Sequence, residues 1–125
     1  MKVKIDTKER FHVITPVEPE FTANMTAEIE NICLPILKTD IKNVVINMSN
    51  ITYIDVSEAE RLLALQSNFY DNSASFVICC LNKDIENFLD KSSILEIMNT
   101  TPSESEAWDI VQMEEIEREF LDDET

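Results

Sequence analysis

A serine stands where an apolar strand hands over to a helix. The run Lys42-Asn43-Val44-Val45-Ile46-Asn47-Met48 is apolar enough for a strand covered on both faces. The polar turn Ser49-Asn50 follows, then Ile51-Thr52-Tyr53-Ile54, then Asp55-Val56-Ser57-Glu58. The helical pattern Ala59-Glu60-Arg61-Leu62-Leu63-Ala64-Leu65 begins at once. Ser57 therefore sits at the mouth of a helix, where a hydroxyl suits modification or recognition better than packing. A helix N-terminus stabilises an added phosphate through its free N–H groups and its dipole. The plainer role is capping. Ser57 with Glu60 reads as a Ser-x-x-Glu box, and Asp55 with Glu58 as a displaced version of it. Capping alone contributes about 1 kcal/mol. Glu58 and Glu60 also place negative charge near the hydroxyl, where a phosphate would meet like-charge repulsion.

Other chemistry is sparse. His12 is the only histidine and lies in an expected edge strand, so neither a zinc site nor a Ser-His-Asp arrangement can be assembled around it. Asp55 lacks a paired acid that would make it a general base. The run Glu114-Glu115-Ile116-Glu117-Arg118-Glu119 lacks EF-hand spacing and reads as a solvated helix face. The chain has no glycine, which excludes the phosphate-cradling loops of nucleotide sites. Backbone positions with positive φ then fall to Asn or Asp, such as Asn50, Asn72 or Asn82. No catalytic residue, metal site or cofactor is expected.

The elements that hold Ser57 follow from periodicity. Val3 and Ile5 alternate with lysines, as in a half-exposed strand, and Phe11, Val13 and Ile14 mark its hairpin partner. Pro16 and Pro19 bracket an irregular connection, and Thr22 can cap a helix carrying Met25, Ile29, Ile32, Cys33 and Ile36. Pro35 inside that pattern predicts a kink or an early stop. Residues 44–48 and 76–81 are the expected central strands, adjacent and parallel. The intervening helix shows one face of Ala59, Leu62, Leu63, Gln66, Phe69 and Tyr70. Asn82 caps a short helix, residues 94–98 lead into a weak edge strand, and Ser103 with Glu106 opens the last helix. That helix is expected to continue to about Phe120 or Leu121 and to pack Ala107, Trp108, Ile110 and Val111 on the domain, with Trp108 as a core or interface anchor. The order predicts an α/β domain with a mixed, mainly parallel sheet of four to five strands and about four helices.

The chain of 125 residues is the size of one domain. The expected division is a domain over residues 1–112 and an acidic helical extension over 113–125. No apolar run approaches the ~20 residues of a membrane span. Met1-Lys2-Val3-Lys4-Ile5-Asp6 has no apolar leader core, so a cytoplasmic location is the expectation. Three cysteines, two of them adjacent, point to reduced thiols. The net charge of −15 argues against direct contact with nucleic acid and leaves a basic protein partner open. Residues 103–125 hold ten acids and one arginine, a net of −9. Among them Met113, Ile116, Phe120 and Leu121 recur at helical spacing. That stripe is expected either to cap its own domain or to form a homodimer contact through residues 113–121.

The segment from Val44 to Leu65 resembles the central signature of STAS domains, the anti-sigma-factor-antagonist and sulphate-transporter modules. In the family an apolar strand leads to an apolar-Ile-Asp, then Ser-Ser-Gly, then a Leu-rich helix. Here Ile54-Asp55 is followed by Val56 at the first serine, Ser57 at the second and Glu58 at the glycine. The resemblance extends by order of elements over residues 1–111. It implies the STAS-like α/β fold and a non-enzymatic regulatory module acting through protein contacts. It also implies phosphorylation at Ser57. The implied partner is an anti-sigma factor that is a serine kinase of GHKL type, meeting Asp55, Val56, Ser57, Glu58 and Arg61 beside the loop 16–22. The alternative is a constitutive scaffold, or a transporter-associated subunit, in which Val56 and Glu58 mark a lost phosphoswitch. A small α/β enzyme using a carboxylate is the remotest reading.

Overall fold

The computed structural model describes residues 3–123, with side-chain surroundings as far as Phe120. The elements, in chain order, are β1 (Val3–Thr7), β2 (Phe11–Pro16), β3 (Glu20–Phe21), α1 (Ala23–Ile36), β4 (Asn43–Asn47), β5 (Tyr53–Ile54), α2 (Val56–Asp71), β6 (Phe76–Cys79), α3 (Lys83–Lys91), a 3₁₀ turn (Leu95–Ile97), β7 (Thr100–Thr101) and α4 (Glu104–Asp123). The main sheet has the order β1-β2-β4-β6-β7. β1 is antiparallel to β2, and every other pairing is parallel, including the expected pair β4 and β6. The expected α/β fold, with five strands and four α-helices, is the one observed.

The register explains why the central strands read as unbroken apolar runs. Val13, Val45 and Val77 stand opposite one another, as do Ile14, Ile46 and Ile78. The two rows point to opposite faces, because side chains alternate along a strand. Ile14, Ile46 and Ile78 join a large core with Met25, Ile29, Leu62, Phe69 and Leu89 from α1, α2 and α3. Val13, Val45 and Val77 join a smaller core with Phe11, Cys79, Ala107 and Val111, closed by α4. The domain thus has three layers, with α4 alone on its side of the sheet.

Helix ends follow local chemistry. Thr22 caps α1 through Met25 N–H, and Asn82 caps α3 through Ile85 N–H. α1 runs through Pro35 and stops one residue later. Positive φ falls on Ser73, Cys80 and Ser93 rather than on Asn50, Asn72 or Asn82. Two of these have one cause. Ser73 and Ser93 each follow a helix C-cap, Asn72 and Ser92. The hydrogen bonds Ala74 N to Phe69 O and Ile94 N to Leu89 O close the turn in which glycine is the usual residue. Asn82 is already spent as a cap, and the Asn50 amide donates to Pro16 O at 3.2 Å.

α4 runs unbroken from Glu104 to Asp123, as the expected last helix does. Ala107 and Val111 face the sheet, but Trp108 is 45% exposed and leans on Phe11 with ring centroids 6.5 Å apart. Met113, Ile116 and Phe120 are 55%, 66% and 64% exposed, so they do not cap the core. Leu121, the fourth residue of that stripe, lies outside the residues with described side chains.

Candidate functional site

The surface around Ser57 is built by a second, two-stranded sheet. β3 pairs parallel with β5, bringing Glu20 opposite Tyr53 and Phe21 opposite Ile54. The Pro19 carbonyl accepts from Thr52 N at 2.8 Å and Tyr53 N at 3.2 Å. The loop between β2 and α1 is thereby tied to the segment that delivers Ser57. The Asn82 amide donates to Ile51 O at 2.9 Å and braces the same segment from the α3 side. Neither small strand is visible in the sequence, since two residues carry no periodicity.

Asp55, and not Ser57, is the cap of α2. Its backbone is extended (φ −98°, ψ 172°), and its carboxylate accepts from Glu58 N at 2.9 Å. Val56 is then the first helical residue and Ser57 the second. Ser57 is exposed, and its hydroxyl makes no hydrogen bond among the described residues. The Ser57–Glu60 box does not form.

Glu58 lies beneath the surface on which Asp55, Val56 and Ser57 are exposed. It is only 6% exposed, so its carboxylate is not available to a partner. A helix turns by about 100° per residue, and the third position of α2 points back at α1. There Thr26 Oγ1 donates to Glu58 Oε1 at 2.6 Å, and Arg61 Nη1 donates to the same oxygen at 3.2 Å. Arg61 also pairs with Glu30 of α1. Hydrogen bonding to Glu30 is the first cause of the rise in Arg61 pKa above its ordinary value. The arginine keeps a half-exposed rim beside Ser57. Thr26 and Glu30 escape sequence reasoning, because nothing in the spacing of α1 marks them as partners of α2.

Of the five residues expected at the contact, Asp55, Val56 and Ser57 lie together on the exposed edge, Arg61 adjoins them and Glu58 turns inward. Apolar side chains missed in the sequence extend the patch. Tyr53 and Phe88 are exposed and line a shallow depression of about 200 Å³ with Ile54, Asp84 and Ile85. Val17, in the β2–α1 loop, is exposed as well. Such a surface can bind a protein face. His12 is structural, with Nε2 at 3.0 Å from Ile41 O and Nδ1 at 3.0 Å from Thr7 Oγ1.

The family model for the STAS domain matches residues 2–107. The chain belongs to the STAS family. No curated protein matches it. Among solved structures it is similar to a protein of Thermotoga maritima, with 13% identity, a TM-score of 0.75 and coverage of 88% of this chain and 94% of that one. It is similar to the anti-sigma factor antagonist SpoIIAA in its unphosphorylated form, with 16% identity, a TM-score of 0.70 and coverage of 88% and 96%. It also resembles part of the murine anion transporter Slc26a9, with 15% identity, a TM-score of 0.65 and coverage of 86% of this chain and 18% of the transporter. At these identities the likeness is one of fold. Among the described residues no helix is long and apolar enough to cross a membrane.

Proposed function

We propose that this STAS domain is a non-enzymatic regulatory module of the anti-sigma factor antagonist type, acting in the cytoplasm. Its docking surface is Asp55, Val56 and Ser57 with the β2–α1 loop and the rim of Arg61. Its partner is an anti-sigma factor that is also a serine kinase of GHKL type, and Ser57 is the phosphoacceptor. One observation carries the proposal: the Ser57 hydroxyl is exposed and unbonded in the first turn of α2, while Asp55 does the capping. The helix end therefore does not depend on that hydroxyl, which is free to be esterified. A phosphate there would add roughly −1.5 to −2 of charge. It would meet the free N–H groups of the helix end and lie one turn from Arg61. The inward turn of Glu58 removes one of the two neighbouring carboxylates from its path. In a complex the same charge enters the contact surface and ends the association.

Incubation with ATP and a GHKL-type kinase, followed by mass spectrometry, tests the modification. The expected result is one phosphate on the peptide containing Ser57. In binding assays Ser57→Asp should weaken the partner complex by about tenfold or more, some 1.4 kcal/mol, while Ser57→Ala keeps it. No phosphate, with equal binding by wild type and Ser57→Asp, would favour the constitutive scaffold or transporter-associated subunit instead. The Thr26–Glu58–Arg61–Glu30 network supports that second reading. It fixes the turn at a position where the family pattern has a flexible glycine.

A further inference from the structure

On the far side of the sheet, α4 presents three large apolar side chains to the outside. Met113, Ile116 and Phe120 are spaced three and four residues apart and form one outward ridge. Toward its N-terminal end the ridge meets a groove of about 460 Å³ between Trp108 and Phe11, which Gln112 also lines. Lys8 and Arg10 stand on that groove, and each already has a carboxylate, Asp6 and Glu115. The ridge is bordered by acids without intervening bases. Asp109, Glu117 and Glu119 are all exposed, while Arg118, the only basic residue of α4, turns inward to Asn43 Oδ1 at 3.2 Å and Ser75 Oγ at 3.0 Å.

We propose that the outer face of α4, with the groove between Phe11 and Trp108, docks a basic amphipathic helix of a protein partner. The apolar ridge supplies contact area and the groove takes one large anchor of the incoming helix. The acids on both flanks select lysines and arginines beside the anchors. Charge decides between this occupant and a second copy of the chain. An isologous contact would set the same acidic borders against each other, in a chain of net charge −15. A basic helix pairs each of those acids with an opposite charge.

Trp108 is the only tryptophan and reports directly on the groove. The full chain is titrated with a synthetic helical peptide carrying a Leu/Phe face flanked by lysines. Controls are a scrambled peptide of equal charge and a version with glutamates for the lysines. A saturable change in Trp108 emission is expected with the amphipathic basic peptide alone. It should weaken as salt rises and fall by about tenfold in the double variant Ile116→Ser/Phe120→Ser, whose fold is checked by circular dichroism. Equal binding of the scrambled peptide, binding of the acidic peptide, or no binding at all overturns the proposal. So does a doubled mass in sedimentation that the double variant abolishes, which would make a second copy the occupant. Ser57→Asp should leave the titration unchanged, so this surface and the Ser57 surface succeed or fail separately.

Discussion

α2 and α4 flank the same sheet and are built in opposite senses. In α2 the large apolar residues Leu62, Leu65 and Phe69 point inward, and of its polar residues Glu58 alone is buried. In α4 the inward residues are Ala107, Val111 and, in part, Ile110, while Trp108, Met113, Ile116 and Phe120 are exposed. Burying a leucine or phenylalanine is worth about 1.5–3 kcal/mol, so α2 is a structural wall. α4 closes the smaller core and adds polar hooks to it. Glu114 accepts from Tyr70 OH at 2.8 Å, Asn47 donates to Glu104 at 3.1 Å and Arg118 reaches Asn43 and Ser75. Such bonds contribute about 0.5–1.5 kcal/mol each. A helix fixed this way keeps its apolar surface for another molecule. On the proposed readings, α2 offers a partner its N-terminal turn, and α4 offers a whole side.

The sharpest test of that contrast compares two phenylalanines. Phe69 is fully buried against Phe76, with ring centroids 5.2 Å apart. Phe69→Ala should cost about 3–5 kcal/mol in urea denaturation. Phe120→Ala should stay within about 0.5 kcal/mol of wild type. Comparable losses would mean that α4 is a structural wall like α2.

A smaller effect is expected at the clamp of α2. Glu58→Ala leaves the buried Thr26 hydroxyl without its carboxylate and frees one bond of Arg61. The expected loss is about 1–3 kcal/mol, read from the same denaturation curves. A neutral result would make the network ornamental and weaken the case for a rigid docking surface.

The same physics decides what could be read from the sequence. Strands β4 and β6 announce themselves because burial on both faces demands unbroken apolar runs, whereas β2, expected at an edge, lies inside the sheet between β1 and β4. Thr22, Asn82 and Ser103 are legible as caps because capping is local. Ser57 was legible as a helix-mouth residue for the same reason. Glu58 was not, since a carboxylate is usually solvated and its partners Thr26 and Glu30 sit on a different helix. Trp108 reads as a core or interface anchor because large apolar residues are mostly buried, and only the tertiary placement of α4 shows it half exposed against Phe11. β3 and β5 are too short to show periodicity and are set by tertiary contacts, among them the Pro19 carbonyl and the burial of Phe21 and Ile54.

The hook between α2 and α4 should be visible in alkaline solution. Tyr70 donates to Glu114 and accepts from the Asn99 amide at 2.6 Å. Burial first, and then the Glu114 hydrogen bond, push the Tyr70 pKa well above the ordinary phenol value. The folded pKa is raised, so the stability it contributes is complete below the unfolded value of about 10. That contribution is lost as the pH rises beyond this toward the folded pKa. Tyr70→Phe should be less stable at neutral pH and should show a shallower loss of stability above about pH 10. Parallel pH profiles for the two proteins would remove Tyr70 as a link between the layers.

The last and smallest effect is one of rates. Cys33 lies in the large core beneath α1, and Cys79 lies in the small core beneath α4. Both thiols are buried. Burial, with Glu30 adding to it, pushes Cys33 up to about 12, and burial followed by Cys80 also raises Cys79. Neither reacts as a thiolate until its layer opens. Cys80 is half-buried, with its sulfur 3.5 Å from that of Cys79, and should be alkylated first. A layer held by a smaller core opens at lower cost than one held by a larger core of leucines and phenylalanines. Cys79 should therefore be labelled before Cys33 under native conditions. Cys33 should follow the rate of global unfolding, and Arg118→Ala should speed Cys79 without speeding Cys33 in proportion. Mass spectrometry of peptides after timed alkylation reads all three sites in one experiment. Equal rates at Cys33 and Cys79 would show that both faces of the sheet open together, and that α4 is no looser than α2.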